Sequence, residues 1–282
     1  MESPSLHCIA DPFTIRFNRN IPPSHSELNQ WHDAFELSFY VDASLTMFLR
    51  DRCYEVSGGD LLFVGDREIH RIVYGHQRHY DRFVLTFRES YIREVLKAAG
   101  IPDLLAELTA FPIRQAHLAD NQARRITDLL QDMIRAYHTG RNAPIRLWLS
   151  SLLLLCRQWL QAAQETTEAT SLDKVVGQVV AWLDGHYQDS FRLEDMETRF
   201  FVSRYHLIRL FRRQVGMTPV AYLQQRRIIE ARHLLRRTGH PISEIALQCG
   251  FLSTQHFHRI FRRTTGCTPR AYRHAYRTLD PT

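Results

Sequence analysis

The stretch ISEIALQCGFLSTQHFHRIFRRTTGCTPRAYR (Ile242–Arg273) decides how the C-terminal part of this chain reads. Ile242–Cys249 has helical character behind Pro241, Gly250 supplies a turn, and Ser253 stands at an N-cap ahead of Thr254–Thr264. In that last segment Phe257, Ile260 and Phe261 fall at i, i+3 and i+4 and must face a core, which leaves Thr254, Gln255, His258 and Arg259 outward. The stretch ends on FRRTTGCTPRAY (Phe261–Tyr272), and fifty residues earlier the chain reads FRRQVGMTPVAY (Phe211–Tyr222). Two copies are too few for a solenoid, which needs about three stacked units. The repeat therefore marks a duplicated module.

The first copy has the same pattern, with Leu207, Leu210 and Phe211 expected inward and Arg204, Tyr205, Ile208 and Arg209 outward. Helix, tight turn and a second helix with a polar, basic outer face is a helix-turn-helix pattern. The shared residues read as scaffold. Phe211 and Phe261 anchor the second helix, Gly216 and Gly266 end it, and Thr218-Pro219 and Thr268-Pro269 start the next as N-cap and N1. Tyr222 and Tyr272 are expected to pack back on the module. Arg212, Arg213, Arg262 and Arg263 lie in the last turn, where cations suit the helix dipole and can reach phosphates. The residues that differ between copies are largely those facing out. Between the copies, Pro219–Arg237 reads as one helix, spanning about 28 Å by its rise, close to the ~34 Å between successive major-groove faces.

Charge agrees with this division. From Leu172 to Thr282 there are 18 basic against 9 acidic residues, and from Thr198 onward 16 against 3, whereas the first 171 residues are slightly acidic. Such asymmetry points to a nucleic-acid partner. The five cysteines, Cys8, Cys53, Cys156, Cys249 and Cys267, are scattered with no CxxC pair, which argues against a disulfide framework or zinc finger and fits a reducing compartment. Met1-Glu2-Ser3-Pro4 begins nothing like a secretory signal, and the longest apolar run, Leu147–Cys156, is about half a membrane span. A cytoplasmic protein with no membrane association is expected.

The front of the chain reads differently. Phe35–Val41, Leu45–Leu49, Leu61–Val64 and Arg82–Phe87 are β-rich runs, with Gly58-Gly59-Asp60 as a turn, so the first hundred residues are expected to form an all-β barrel or sandwich. The period then changes. Leu118–His138 is an amphipathic helix with Ile126, Leu129, Leu130, Met133, Ile134 and Tyr137 on one face, and Ile145–Ala163 a second helix, apolar on most sides. Such a pair forms either a hairpin against the barrel or a homodimer interface through residues 118–163. Residues 164–171 are polar and aperiodic and read as a linker, giving domains 1–163 and 172–282.

Residues 172–278 resemble the DNA-binding domain of the AraC/XylS family of bacterial transcription regulators, and Ile242–Arg273 matches the family signature nearly throughout. The resemblance implies an α+β multidomain protein: an N-terminal cupin-like β-barrel with trailing helices, then an all-α domain whose two helix-turn-helix motifs are joined by a long helix. It further implies that Thr254, Gln255, His258 and Arg259, with Arg204, Tyr205, Ile208 and Arg209, read double-stranded DNA in the nucleoid, and that RNA polymerase is a partner if the protein activates. One departure is visible: Phe200 and Met196 stand where the second motif has Gly250 and Ala246, so a wider first turn is expected. In the front half, Gln30-Trp-His32-Asp-Ala-Phe-Glu36 and Gly59–His70 resemble the two cupin motifs, with the first histidine replaced by Gln30. His32, Glu36 and His70 are the candidate effector-binding residues. A structural hydrogen-bond network remains open for them, as does a two-His-one-carboxylate metal site. The leading expectation is a regulator that binds a small effector and needs no cofactor; the rival is a metal-dependent cupin enzyme carrying a DNA-binding tail.

Overall fold

A computed structural model describes residues 11–21, 34–73, 80–166 and 174–277. The chain divides into two compact units, an N-terminal one built mainly from Ile9–Leu49 and Cys53–Thr170 and a C-terminal one built mainly from Ser171–Thr282.

The N-terminal unit opens with strands β1 (Phe13–Ile21), β2 (Phe35–Asp42), β3 (Ser44–Leu49), β4 (Arg52–Ser57), β5 (Asp60–Val64), β6 (His70–Val73) and β7 (Tyr80–Phe87). Helices α1 (Glu89–Ala98) and α2 (Leu104–Ala110), strand β8 (Gln115–His117) and helices α3 (Asp120–His138) and α4 (Asn142–Thr166) complete it. A five-stranded sheet runs β1-β7-β2-β5-β8, and a three-stranded sheet runs β4-β3-β6. The registered pairs are antiparallel, with Leu37 opposite both Phe63 and Leu85.

Strand alternation explains the two cores. Phe35, Leu37 and Phe39 of β2 share one face with Phe83, Leu85, Phe87, Leu61 and Phe63, and that face meets apolar side chains of α1–α4. Each such large apolar side chain contributes about 1.5–3 kcal/mol by leaving water. The opposite face packs Tyr40, Leu62, Val64 and Tyr80 against Leu45, Met47, Leu49, Tyr54, Val56 and Ile72 near the smaller sheet. β2 is therefore buried on both faces, which is why its sequence runs apolar without a clean period. The Gly58-Gly59-Asp60 turn forms as expected. Gly59 takes φ +91°, and the Asp60 carboxylate accepts the Ser57 amide at 2.6 Å.

Several elements differ from the sequence reading. The first hundred residues are not all strand, because Glu89–Ala98 is helical with Tyr91, Ile92 and Leu96 buried. α3 starts at Asp120, since the Leu118 amide donates to the Gly59 carbonyl at 3.0 Å and keeps that residue extended. α4 continues to Thr166, past Ala163, while Gln164 donates to the Ile113 carbonyl and accepts its amide, both at 2.9 Å.

Among the described residues the regular elements of the C-terminal unit are all helices: α5 (Lys174–Gly185), α6 (Leu193–Phe200), α7 (Arg204–Val215), α8 (Pro219–Arg237), α9 (Ile242–Gln248), α10 (Thr254–Thr265) and α11 (Pro269–Arg277). α8 is the central strut and touches α5, α9, α10 and α11.

Candidate functional site

The two modules share their construction. Ser203 and Ser253 cap α7 and α10 by accepting the amides of His206 and His256, at 3.4 and 3.1 Å. Gly216 and Gly266 end those helices at φ +78° and +76°. Thr218 and Thr268 accept the amides of Ala221 and Ala271, with Pro219 and Pro269 at the next position. Phe211 meets Tyr222 edge-on at 5.8 Å, and Phe261 meets Tyr272 edge-on at 5.5 Å. The tyrosine hydroxyls do different work. Tyr222 donates to Asp184 at 3.0 Å, while Tyr272 accepts from the buried Arg232 at 2.9 Å. The repeated Phe, Gly, Thr, Pro and Tyr thus have scaffold roles.

The outward faces carry the variable chemistry. In α10, Phe257, Ile260 and Phe261 are buried, while Gln255, Arg259, Arg262 and Arg263 are exposed and Thr254 and His258 half-buried. Arg259 and Arg262 have no hydrogen bond or ion pair among the described residues, and Arg263 donates to Gln224 at 3.3 Å. In α7, Leu207 and Phe211 are buried but Leu210, expected inward, is half-buried; Val215 takes the third core place. Tyr205, Arg209, Arg212 and Arg213 are exposed, and Ile208 is half-buried. Arg204 is the most constrained, with Glu194 at 3.5 Å and the Tyr205 hydroxyl at 3.1 Å. His256 has its pKa lowered by partial burial and by Arg259, Arg227 and Arg263, so it is neutral near pH 7.

The first turn is tighter than the second, not wider. In the second motif Gly250 is left-handed and stands three residues before Ser253; in the first, the left-handed residue is Phe201 (φ +52°), two residues before Ser203. α6 therefore runs on through Phe200, which matches Gly250 in sequence. Gly250 also lies where a Cβ would come within 2.6 and 2.7 Å of the carbonyl oxygens of Gln188 and Tyr187.

In the N-terminal unit, the face of β2 that carries Glu36, Ser38 and Tyr40 forms a buried polar cluster with His70 and Arg82. Ser38 donates to Glu36 at 2.8 Å, His70 Nε2 lies 3.8 Å from Glu36 Oε2, and Arg82 Nη1 lies 4.0 Å from Glu36 Oε1. His70 Nδ1 is 3.1 Å from the Glu68 carbonyl oxygen. His32 lies outside the described residues. Arg82, which sequence reasoning missed because it stands beside Asp81 at the polar head of the Arg82–Phe87 run, is 1% exposed. It donates to Tyr40 at 3.2 Å and lies over the Tyr80 ring at 5.3 Å. Its Nε and Nη2 have no hydrogen-bond partner among the described residues. Burial works against the charge, yet Tyr40 and Glu36 beside it outweigh that and raise the Arg82 pKa, so the guanidinium stays ionised. An interior with an ionised donor, a carboxylate and an imidazole can hold a polar guest. No group of three metal-ligating side chains occurs among the described residues. An open pocket of about 610 Å³, lined by Gly59, His117, Asp120 and Arg124 among others, includes none of Glu36, His70 or Arg82.

Comparison with known proteins follows the same division. Residues 15–155 match the model of the AraC-like ligand binding domain, and residues 196–275 match that of a helix-turn-helix domain. The HTH-type transcriptional activators RhaS of Salmonella arizonae and Salmonella typhimurium are each 31% identical over 232 residues, spanning 78% of this chain and 78% of theirs. A crystal structure of the DNA-binding domain of AdpA in complex with a target DNA is 34% identical, covering 39% of this chain and 99% of that one, with a TM-score of 0.38.

Proposed function

The chain belongs to the AraC family of transcriptional regulators, and from that premise we propose that α7 and α10 enter successive major grooves on one side of a duplex. The observation that carries this reading is the repeat itself: two helices capped and anchored alike, each turning a different set of polar and basic side chains outward. Thr254, Gln255, His258 and Arg259 read bases in one groove, and Tyr205, Ile208 and Arg209 in the other, with Arg204 held at the rim by Glu194. Arg212, Arg213, Arg262 and Arg263 contact phosphates. α8, at 19 residues, is about 28 Å long and sets the spacing without a second subunit.

Response to a small molecule comes from the N-terminal unit, through the cluster of Glu36, His70 and Arg82, with His32 as a further candidate. The protein acts by binding rather than catalysis, in the cytoplasm, and activates transcription, as the naming of the RhaS relatives suggests; RNA polymerase is the partner such activation requires. Exposed Leu147 and Leu155 on α4 support self-association through α3 and α4. The deciding experiment is enrichment of duplexes from a randomised pool by the full-length protein, followed by footprinting. Two protected patches one helical turn apart on one face are expected; a single patch, or no enrichment, overturns the reading.

A further inference from the structure

Phe201 and Leu252 are the two most exposed large apolar side chains among the described residues, at 94% and 88%. A lone exposed apolar residue is ordinary and needs no explanation. These two are set apart by where they stand. Phe201 lies two residues before the cap of α7, and Leu252 one residue before the cap of α10. Both therefore sit at the end of a recognition helix whose residues meet base edges.

Neither side chain is there for packing. Leu252 precedes the N-cap, the position from which an apolar side chain normally staples onto the fourth residue of the helix, here Phe257. Phe257 is instead covered by Phe251, at 5.1 Å, and Leu252 is left in solvent. Phe201 adds a backbone cost, since φ +52° is a left-handed conformation that disfavours a side chain. Its sequence counterpart fifty residues on, Phe251, is 2% exposed, so this position can bury a phenylalanine. The tighter first turn swings the ring outward instead. Two motifs with one scaffold thus each present one bulky apolar group beside the polar residues of the recognition helix, and in one of them backbone strain accompanies it.

We propose that Phe201 and Leu252 are specificity-determining residues, each packing on the C5-methyl of a thymine at the border of the bases read by its helix. Thymine is the only standard DNA base offering an apolar group in the major groove, and its usual partners there are apolar side chains. The proposal rests on the DNA-reading role of α7 and α10. A protein partner on these side chains would leave DNA affinity unchanged and is an outcome of the same test.

The test uses full-length protein and duplexes it enriches from a randomised pool, read by fluorescence anisotropy. Each thymine of the enriched site is replaced in turn by deoxyuridine, which keeps the pairing and removes only the methyl. One thymine per half-site is expected to be sensitive, with a loss of about three- to tenfold for burial of one methyl. Phe201→Ala should weaken binding to the thymine duplex by a similar factor, lose sensitivity at one of those positions only, and leave the salt slope unchanged. Leu252→Ala should do the same at the other. Phe201→Gly guards against misfolding, because the left-handed backbone suits glycine; it should stay folded and show the same loss. Enriched sites without thymine at those borders, or variants that remain as sensitive to deoxyuridine as the parent, overturn the proposal alone. Failure to enrich any sequence takes the DNA-reading assignment down with it.

Discussion

At Gly250 two demands meet: a backbone at φ +80°, and carbonyl oxygens of Tyr187 and Gln188 too close to admit a Cβ. Gly250→Ala should therefore cost about 2–4 kcal/mol, roughly 1 from the left-handed conformation and the rest from displacing the 187–188 backbone. A urea unfolding series reads it, and a loss below about 1 kcal/mol would show that the loop yields freely. Phe201 is the mirror case. Its left-handed backbone has no crowding, so Phe201→Gly should raise stability by up to about 1 kcal/mol, discounted by the greater freedom of glycine in the unfolded chain. Gly250 announced itself in the sequence because glycine after a short helix is a turn signal. Phe201 did not, since a one-residue difference in where α6 ends depends on packing that no local pattern records. Arg82 was hidden for a related reason. Its neighbours Tyr40 and Glu36 come from a strand more than forty positions away, and alternation along β7 alone cannot distinguish a buried arginine from a solvated one.

Among elements, the recognition helices were legible almost residue by residue, because caps, terminators and the i, i+3, i+4 pattern all agree there. That consistency makes their roles separable by experiment. Ser253→Ala removes the acceptor for the His256 amide and should cost about 1 kcal/mol of stability with little change in base preference. Arg259→Ala should do the reverse: unchanged melting, a loss of about 1–3 kcal/mol in binding to the enriched duplex, and relaxed preference at one base pair. Arg262→Ala should weaken binding to all duplexes alike and lower the salt slope by about one. An Arg259→Ala protein with unaltered sequence preference would remove α10 from the list of base readers. By contrast, α1 was not legible. It starts directly behind β7 at Arg88, which is extended and supplies no side-chain cap, so nothing local marks the change from strand to helix. β4 was missed because its alternating part, Tyr54-Glu55-Val56-Ser57, is only four residues long with Tyr54 and Val56 as its buried positions, and runs straight into the Gly58-Gly59 turn.

On the scale of the whole molecule, the basic, DNA-facing chemistry lies in the C-terminal unit and the buried polar cluster in the N-terminal one, so the two properties should be separable by mutation. Effector response requires a guest that binds two arrangements of the protein with different affinity. If the guest sits at Arg82, then Arg82→Met should abolish that binding while leaving DNA affinity and its salt slope within about twofold of the parent. Thermal unfolding in the presence of candidate small molecules supplies the readout without knowledge of the guest. A ligand at a hundred times its Kd stabilises by about 2.7 kcal/mol, or about 5–10 °C in a unit of this size. A compound that raises Tm in the parent should leave Arg82→Met unmoved. Loss of Arg82 also strands the Glu36 carboxylate in the interior, which by itself destabilises the unit. The double variant Arg82→Met with Glu36→Gln removes that charge and should recover much of the melting temperature without recovering the ligand shift. If the double variant regains both, the cluster is a structural network and the guest binds elsewhere.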